Sequence, residues 1–148
     1  MFLSLVLKAE TCSIADIRRG YVLPASYKSA LYMCVADGIL LYVGISISPI
    51  ERVRQHLRMA PSRQRSLFSD GIKSNDPQSL DWLIAFPSGK QLVDWMAAQH
   101  PETFNRKAAM RQLKEQGPLA IADICESRII STCKPIFNTA KGGPHGRV

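Results

Sequence analysis

The sequence predicts a single α+β domain. Three observations carry that prediction. The chain has 148 residues, the ordinary size of one domain. Two apolar runs, Leu31–Ala36 and Ile39–Ile45, flank Asp37-Gly38, which is the signature of a β-hairpin. The remainder is mostly helical in pattern, punctuated by Pro and Gly, with one further apolar run at 80–86.

Taken in order, residues 2–8 (FLSLVLK) form an apolar run short enough for a strand. Ser13 and Asp16 have the spacing of a capping box, and Gly20 would close the short helix begun there. Residues 24–29 read as a loop before the hairpin. Ser48-Pro49 is a helix start, Ser as N-cap and Pro in the first turn, and that helix should run to Met59 and stop before Pro61. Residues 60–79 are polar, with Gly71, Pro77 and several Ser and Asn, and read as a long loop. Residues 80–86 (LDWLIAF) give a third strand, ended by Pro87-Ser88-Gly89. Helices are expected over 91–99, 102–115 and, restarted at Gly117-Pro118, to about Thr132, with Pro135 as the stop. Trp82 and Trp95 are expected to pack the third strand against the helix that follows it. The tail from Lys141 (KGGPHGRV) is expected to be disordered.

Composition narrows the class of function. Nineteen Lys and Arg against twelve Asp and Glu give a net charge of +7, and the pI near 9.5 invites a polyanionic partner. No apolar stretch approaches the roughly 18 residues a membrane helix needs. The apolar run after Met1 lacks the basic flank and cleavage-like site of a signal peptide. The four cysteines, at 12, 34, 125 and 133, make no C-x-x-C and have no His at finger-like spacing, so a structural zinc site is not expected. Three of them sit in apolar runs, as small buried residues of a reducing, cytoplasmic compartment.

Three places break the pattern. Glu126 lies seven residues after Leu119, four after Ala122 and three before Ile129, so it falls in the middle of an apolar helical face. A carboxylate there is costly unless it meets an arginine or a metal. The helix after the hairpin carries Arg52 and His56 on one flank and Arg54 and Arg58 on the other. From 52 to 65 the chain holds Arg52, Arg54, Arg58, Arg63 and Arg65 without an acid, a solvated basic face or a set of phosphate contacts. Tyr32 and Tyr42 each sit inside an apolar strand. A regular two-residue turn would pair Tyr32 with Val43 and put the tyrosines on opposite faces; an odd-length loop or a bulge would put them on the same face.

Together these residues resemble the GIY-YIG nuclease family. The first motif stands here as Ala30-Leu31-Tyr32 and the second as Tyr42-Val43-Gly44, Arg52-Val-Arg-Gln-His56 follows on the next helix, and Glu126 precedes Pro135 and Asn138. The resemblance spans residues 29–139, with 1–28 as an N-terminal extension packed on the domain, 60–79 as a loop insertion and 140–148 as a flexible tail. Ala30 and Leu31 replace the Gly and Ile of the first motif. Ile45 stands where many members carry Lys, which excludes a lysine general base at that position.

The resemblance implies a three-stranded antiparallel sheet flanked by helices, and Mg²⁺-dependent hydrolysis of DNA phosphodiester bonds, with Mn²⁺ tolerated. Glu126 would be the metal's protein ligand, consistent with the one or two carboxylates Mg²⁺ commonly takes. Arg52 would clamp the scissile phosphate. Tyr32 would act as general base or orient the attacking water, with neutral His56 accepting its proton. Tyr42 would position the phosphate or metal-bound water, Gly44 would let the backbone approach the site, and Asn138 would hold its geometry. These roles require both tyrosines on one face, hence an odd loop or a bulge around 37–39. Arg54, Arg58, Arg63 and Arg65 would contact nucleic acid, and residues 1–28, 60–79 and the basic 102–116 helix would add DNA or partner contacts. The partner of the nuclease would be DNA, with a homodimer or a partner protein supplying specificity; the alternative is a basic DNA- or RNA-binding module that has lost the reaction, or a docking subunit of a larger nucleic-acid-processing complex.

Overall fold

Apolar runs too continuous to alternate require a sheet covered on both faces, and that is the architecture adopted. The computed structural model describes residues 2–58 and 67–139. Its elements are α1 (Leu3–Lys8), β1 (Glu10–Ser13), α2 (Ile14–Arg18), β2 (Leu31–Ala36), β3 (Ile39–Ile45), α3 (Pro49–Arg58) and α4 (Leu67–Ser74). A 3-10 turn (Gln78–Asp81) leads into β4 (Leu83–Phe86), followed by α5 (Gly89–Gln99), α6 (Arg106–Gln116), α7 (Leu119–Cys133) and α8 (Ile136–Thr139). The four strands make one antiparallel sheet in the order β1-β4-β2-β3.

The α+β class is as expected, and the sheet has four strands rather than three. The additional strand comes from the N-terminal extension: Glu10–Ser13 pairs with Leu83–Phe86. The apolar run before it is a helix, not a strand. Leu5 is its buried residue, with Val6 and the preceding Phe2 packed partly against the same core, while Leu3 and Leu7 face solvent. The segment expected as a long loop also differs. From Leu67 it forms α4, because Phe68 and Ile72, four residues apart, share a buried face. The predicted third strand begins at Leu83, later than expected, since 78–81 coil into the 3-10 turn. The helix expected from 102 begins at Arg106, with Asn105 capping the Ala108 N–H. The expected tail and the end of α3 at Met59 lie outside the described residues.

Two cores result. Leu31, Met33, Val35 and Val43 pack against Leu5 of α1, Leu92, Val93 and Met96 of α5, Ala109 of α6, and Ile121, Cys125 and Ile129 of α7. Tyr32, Cys34, Ile84 and Phe86 point the other way, onto Ile14 and Ile17 of α2, Val53 of α3, Phe68 and Ile72 of α4, and Phe137 of α8. Trp82 and Trp95 therefore do not share a contact: Trp82 lies beside Phe137 on the tyrosine side and Trp95 packs at the edge of the opposite core. The capping box is formed, with Ser13 Oγ accepting from the Asp16 N–H and Asp16 accepting from the Ser13 N–H, both at 3.0 Å.

The hairpin sets the site. Asp37 and Gly38 have φ of 52° and 75°, both positive as a type I′ turn requires. Ala36 pairs with Ile39 and Val35 with Leu40, the register of a simple two-residue turn. Cys34 then pairs with Tyr42, so Leu41 is an extra residue and Tyr32 comes opposite Gly44. The expected register shift is present, but it lies at Leu40–Tyr42 rather than in the turn. It puts Tyr32 and Tyr42 on the same face.

Among the described residues no helix is long and apolar enough to cross a membrane. Cys12, Cys34 and Cys125 are buried and Cys133 is half-buried, all as free thiols.

Candidate functional site

The face created by that register shift gathers an aromatic and imidazole cluster. Tyr32 is 1% exposed, and its hydroxyl lies 3.1 Å from His56 Nε2. The Tyr32 and Tyr42 rings are 5.9 Å apart, and Tyr42 meets His56 edge-on at 5.6 Å. Phe68 of α4 stacks on Tyr42 at 4.4 Å with nearly parallel planes and meets His56 edge-on at 5.1 Å, so one ring packs against two of the candidate site residues.

His56 is more than a flanking residue. On α3 it lies three positions after Val53, which places it on the buried stripe, and it is 1% exposed. Burial, and secondarily the charge of Arg52, push its pKa down to about 4, so the imidazole is neutral at physiological pH. Burial raises the Tyr32 phenol well above its usual value, the neighbouring Tyr42 adds to this, and Arg52 partly offsets it. The resting pair therefore keeps its proton on the phenol and a free pair of electrons on the imidazole. Arg52 is half-buried at the rim, and its Nη1 donates to Gln55 Oε1 at 2.8 Å.

Gly44 faces Tyr32 directly. A Cβ at this position would lie 2.5 Å from both the Cζ and the hydroxyl oxygen of Tyr32. The absent side chain is the space the phenol occupies.

Asn138, on α8 and 5% exposed, grips β3 from outside the sheet. Its Oδ1 accepts from the Val43 N–H and its Nδ2 donates to the Val43 C=O, both at 2.9 Å. The side chain thus satisfies both outward backbone groups of an edge strand next to Tyr42. Glu126 is 8% exposed on α7, whose sheet contacts are chiefly with β3. Among the described residues no group of three or more His, Cys, Asp and Glu is arranged to hold a metal. A single buried carboxylate remains a fitting hard-oxygen donor for a cation that keeps most of its waters.

The basic residues divide. Arg54 donates to the Tyr21 carbonyl at 2.8 Å and lies 3.7 Å from Glu51; Arg58 pairs with Glu51 at 3.3 Å. With Arg18, Ile17 and Leu57 they line a groove of about 360 Å³ beside α2. Arg63 and Arg65 lie outside the described residues. Of the basic 102–116 helix, Arg106 pairs with Asp94 at 2.8 Å.

No family model, curated protein or solved structure matches the chain.

Tyr32, Tyr42, Gly44 and His56 thus come together, Arg52 stands at their rim and Asn138 holds β3; Glu126 lies on α7, whose apolar residues pack against the opposite face of the sheet. Sequence reasoning missed Phe68 and Ser69. Ser69 is fully buried, with its hydroxyl 2.9 Å from the His56 carbonyl and 3.4 Å from His56 Nδ1. The Phe68–Ile72 spacing was the available signal for the helix that carries both.

Proposed function

We propose that this protein is a metal-dependent endonuclease of the GIY-YIG type that hydrolyses DNA phosphodiester bonds. The observation that carries the reading is the buried Tyr32–His56 hydrogen bond, with Tyr42 held on the same face by the register shift in β3. Phosphodiester hydrolysis needs an activated water, charge against the non-bridging oxygens and stabilisation of the leaving oxygen. Tyr32 takes the proton of the attacking water or orients that water, and neutral His56 receives the phenol's proton through Nε2. Arg52 pairs with the phosphate oxygens through its planar fork. Tyr42 positions the phosphate, and Asn138 keeps the Tyr42 segment of β3 in place. Glu126 would hold Mg²⁺, which supplies charge at the reacting phosphate when bound. The charge of Arg52 beside Tyr32 eases the loss of a proton that burial otherwise retains. Arg54 and Arg58 extend a basic surface for the DNA backbone.

Purified protein incubated with plasmid, nicked and branched DNA in Mg²⁺ or Mn²⁺ tests the reading. Cutting should appear, stop with a chelator, and fall by about 10²–10⁴-fold in Tyr32→Phe, the usual contribution of a general base. Glu126→Gln should abolish it without loss of DNA binding. Absence of cutting on all substrates with both metals would overturn the proposal and leave a basic binding module.

A further inference from the structure

The pair Tyr32–His56 works only if the imidazole presents an unprotonated Nε2 to the phenol. A neutral histidine has two tautomers, and the partner of the other nitrogen chooses between them. Ser69, a residue in a segment the sequence reads as loop, lies against that nitrogen. Its hydroxyl has one proton to donate and two lone pairs to accept with. The His56 carbonyl lies 2.9 Å away and His56 Nδ1 lies 3.4 Å away, so the shorter contact takes the proton. Toward Nδ1 the oxygen is then left only as an acceptor, which stabilises Nδ1–H. Phe68, the neighbour of Ser69 on α4, packs edge-on against the same imidazole and restricts its rotation.

We infer that Ser69 is a positioning residue that fixes His56 as its Nδ1–H tautomer, so that Nε2 accepts the Tyr32 hydroxyl. The catalytic meaning of this arrangement rests on the nuclease reading; the tautomer itself does not. Ser69 touches neither substrate nor metal, and acts through the imidazole.

Nitrogen-15 NMR of histidine-labelled protein reads the tautomer directly, through the distinct couplings of a protonated and an unprotonated ring nitrogen. Wild-type His56 should show protonated Nδ1 and unprotonated Nε2 at neutral pH. Ser69→Ala should lose that bias, and kcat should fall by about 10–100-fold with KM unchanged, because a wrongly oriented base costs turnover and not binding. Ser69→Cys, of nearly the same size and a weaker hydrogen-bonding partner, replaces the alanine variant if that one does not fold; Ser69→Thr keeps the hydroxyl and should retain the wild-type signature. A protonated Nε2 in the wild type, or an Nδ1–H signature unchanged in both Ser69→Ala and Ser69→Cys, overturns the inference. An Nδ1–H signature lost in Ser69→Ala, in a protein that cuts no DNA, supports the inference and removes the nuclease reading.

Discussion

Gly44→Ala adds one methyl group where the structure has least room for it. The new Cβ would stand 2.5 Å from the Tyr32 Cζ and hydroxyl oxygen, about 1 Å inside normal contact. The backbone there is ordinary strand, so the cost is steric and not conformational. Tyr32 is 1% exposed and cannot swing into solvent. Overpacking of this kind typically costs about 1–3 kcal/mol. Displacing the phenol also disturbs the geometry of its 3.1 Å hydrogen bond with His56, whose loss would remove about 1 kcal/mol more. A total of about 2–4 kcal/mol should lower Tm by roughly 4–16 °C in a chain of this size. If Tyr32 is the general base of the proposed hydrolysis, cutting should fall further than stability, because a displacement of about 1 Å at a reacting group costs on the order of 100-fold. Thermal melts and DNA cutting below the melting range, measured on the same preparation, check both numbers. Gly38→Ala is the control: its Cβ meets nothing within 4 Å, and its φ of 75° leaves only backbone strain of about 1–2 kcal/mol, with cutting intact. A Gly44→Ala protein with wild-type Tm and wild-type cutting would refute the placement of Tyr32 over Gly44 and the role given to it.

Two further outcomes follow from the same cluster. His56 has a folded pKa near 4 against about 6.5 unfolded, so as pH falls through this window the unfolded chain gains a proton that the native state refuses. The stabilisation is complete above 6.5 and lost on the way down to 4, by about 3 kcal/mol, and urea melts of wild type and His56→Gln should diverge over that range; parallel profiles would show that His56 is not buried neutral. Asn138→Ala leaves the Val43 N–H and C=O without their partner and should cost about 2–4 kcal/mol, with faster amide exchange at Val43; unchanged exchange there would show that β3 does not depend on α8.

The hairpin, its type I′ turn, the capping box at Ser13 and the helices after the third strand were legible because each rests on local chemistry: positive φ at Asp-Gly, a hydroxyl three residues from a carboxylate, Pro and Gly as stops. The run 2–8 was not, since a short apolar stretch has no period long enough to separate helix from strand. Glu10–Ser13 could not be read at all: its polar residues become a strand only by pairing with β4. The tyrosines' common face was legible as a requirement, but its cause was not, because nothing in Leu40-Leu41-Tyr42 marks Leu41 as the residue that drops out of register. The depth of His56 was legible in its spacing from Val53, though the charged residues around it pointed to a flank. Ser69 became visible only once α4 was in place.

The grip of Asn138 on β3 bears on how copies of the chain can assemble. An exposed edge strand offers its outward N–H and C=O groups to any passing strand, and in the middle of β3 both groups of Val43 are already taken by a side chain from the same molecule. A second chain cannot extend the sheet there without first dislodging α8, and with it the support beside Tyr42. Continuous pairing across β3 and an intact Tyr42 environment are therefore mutually exclusive, and any dimer that leaves that environment intact must join the molecules through another surface.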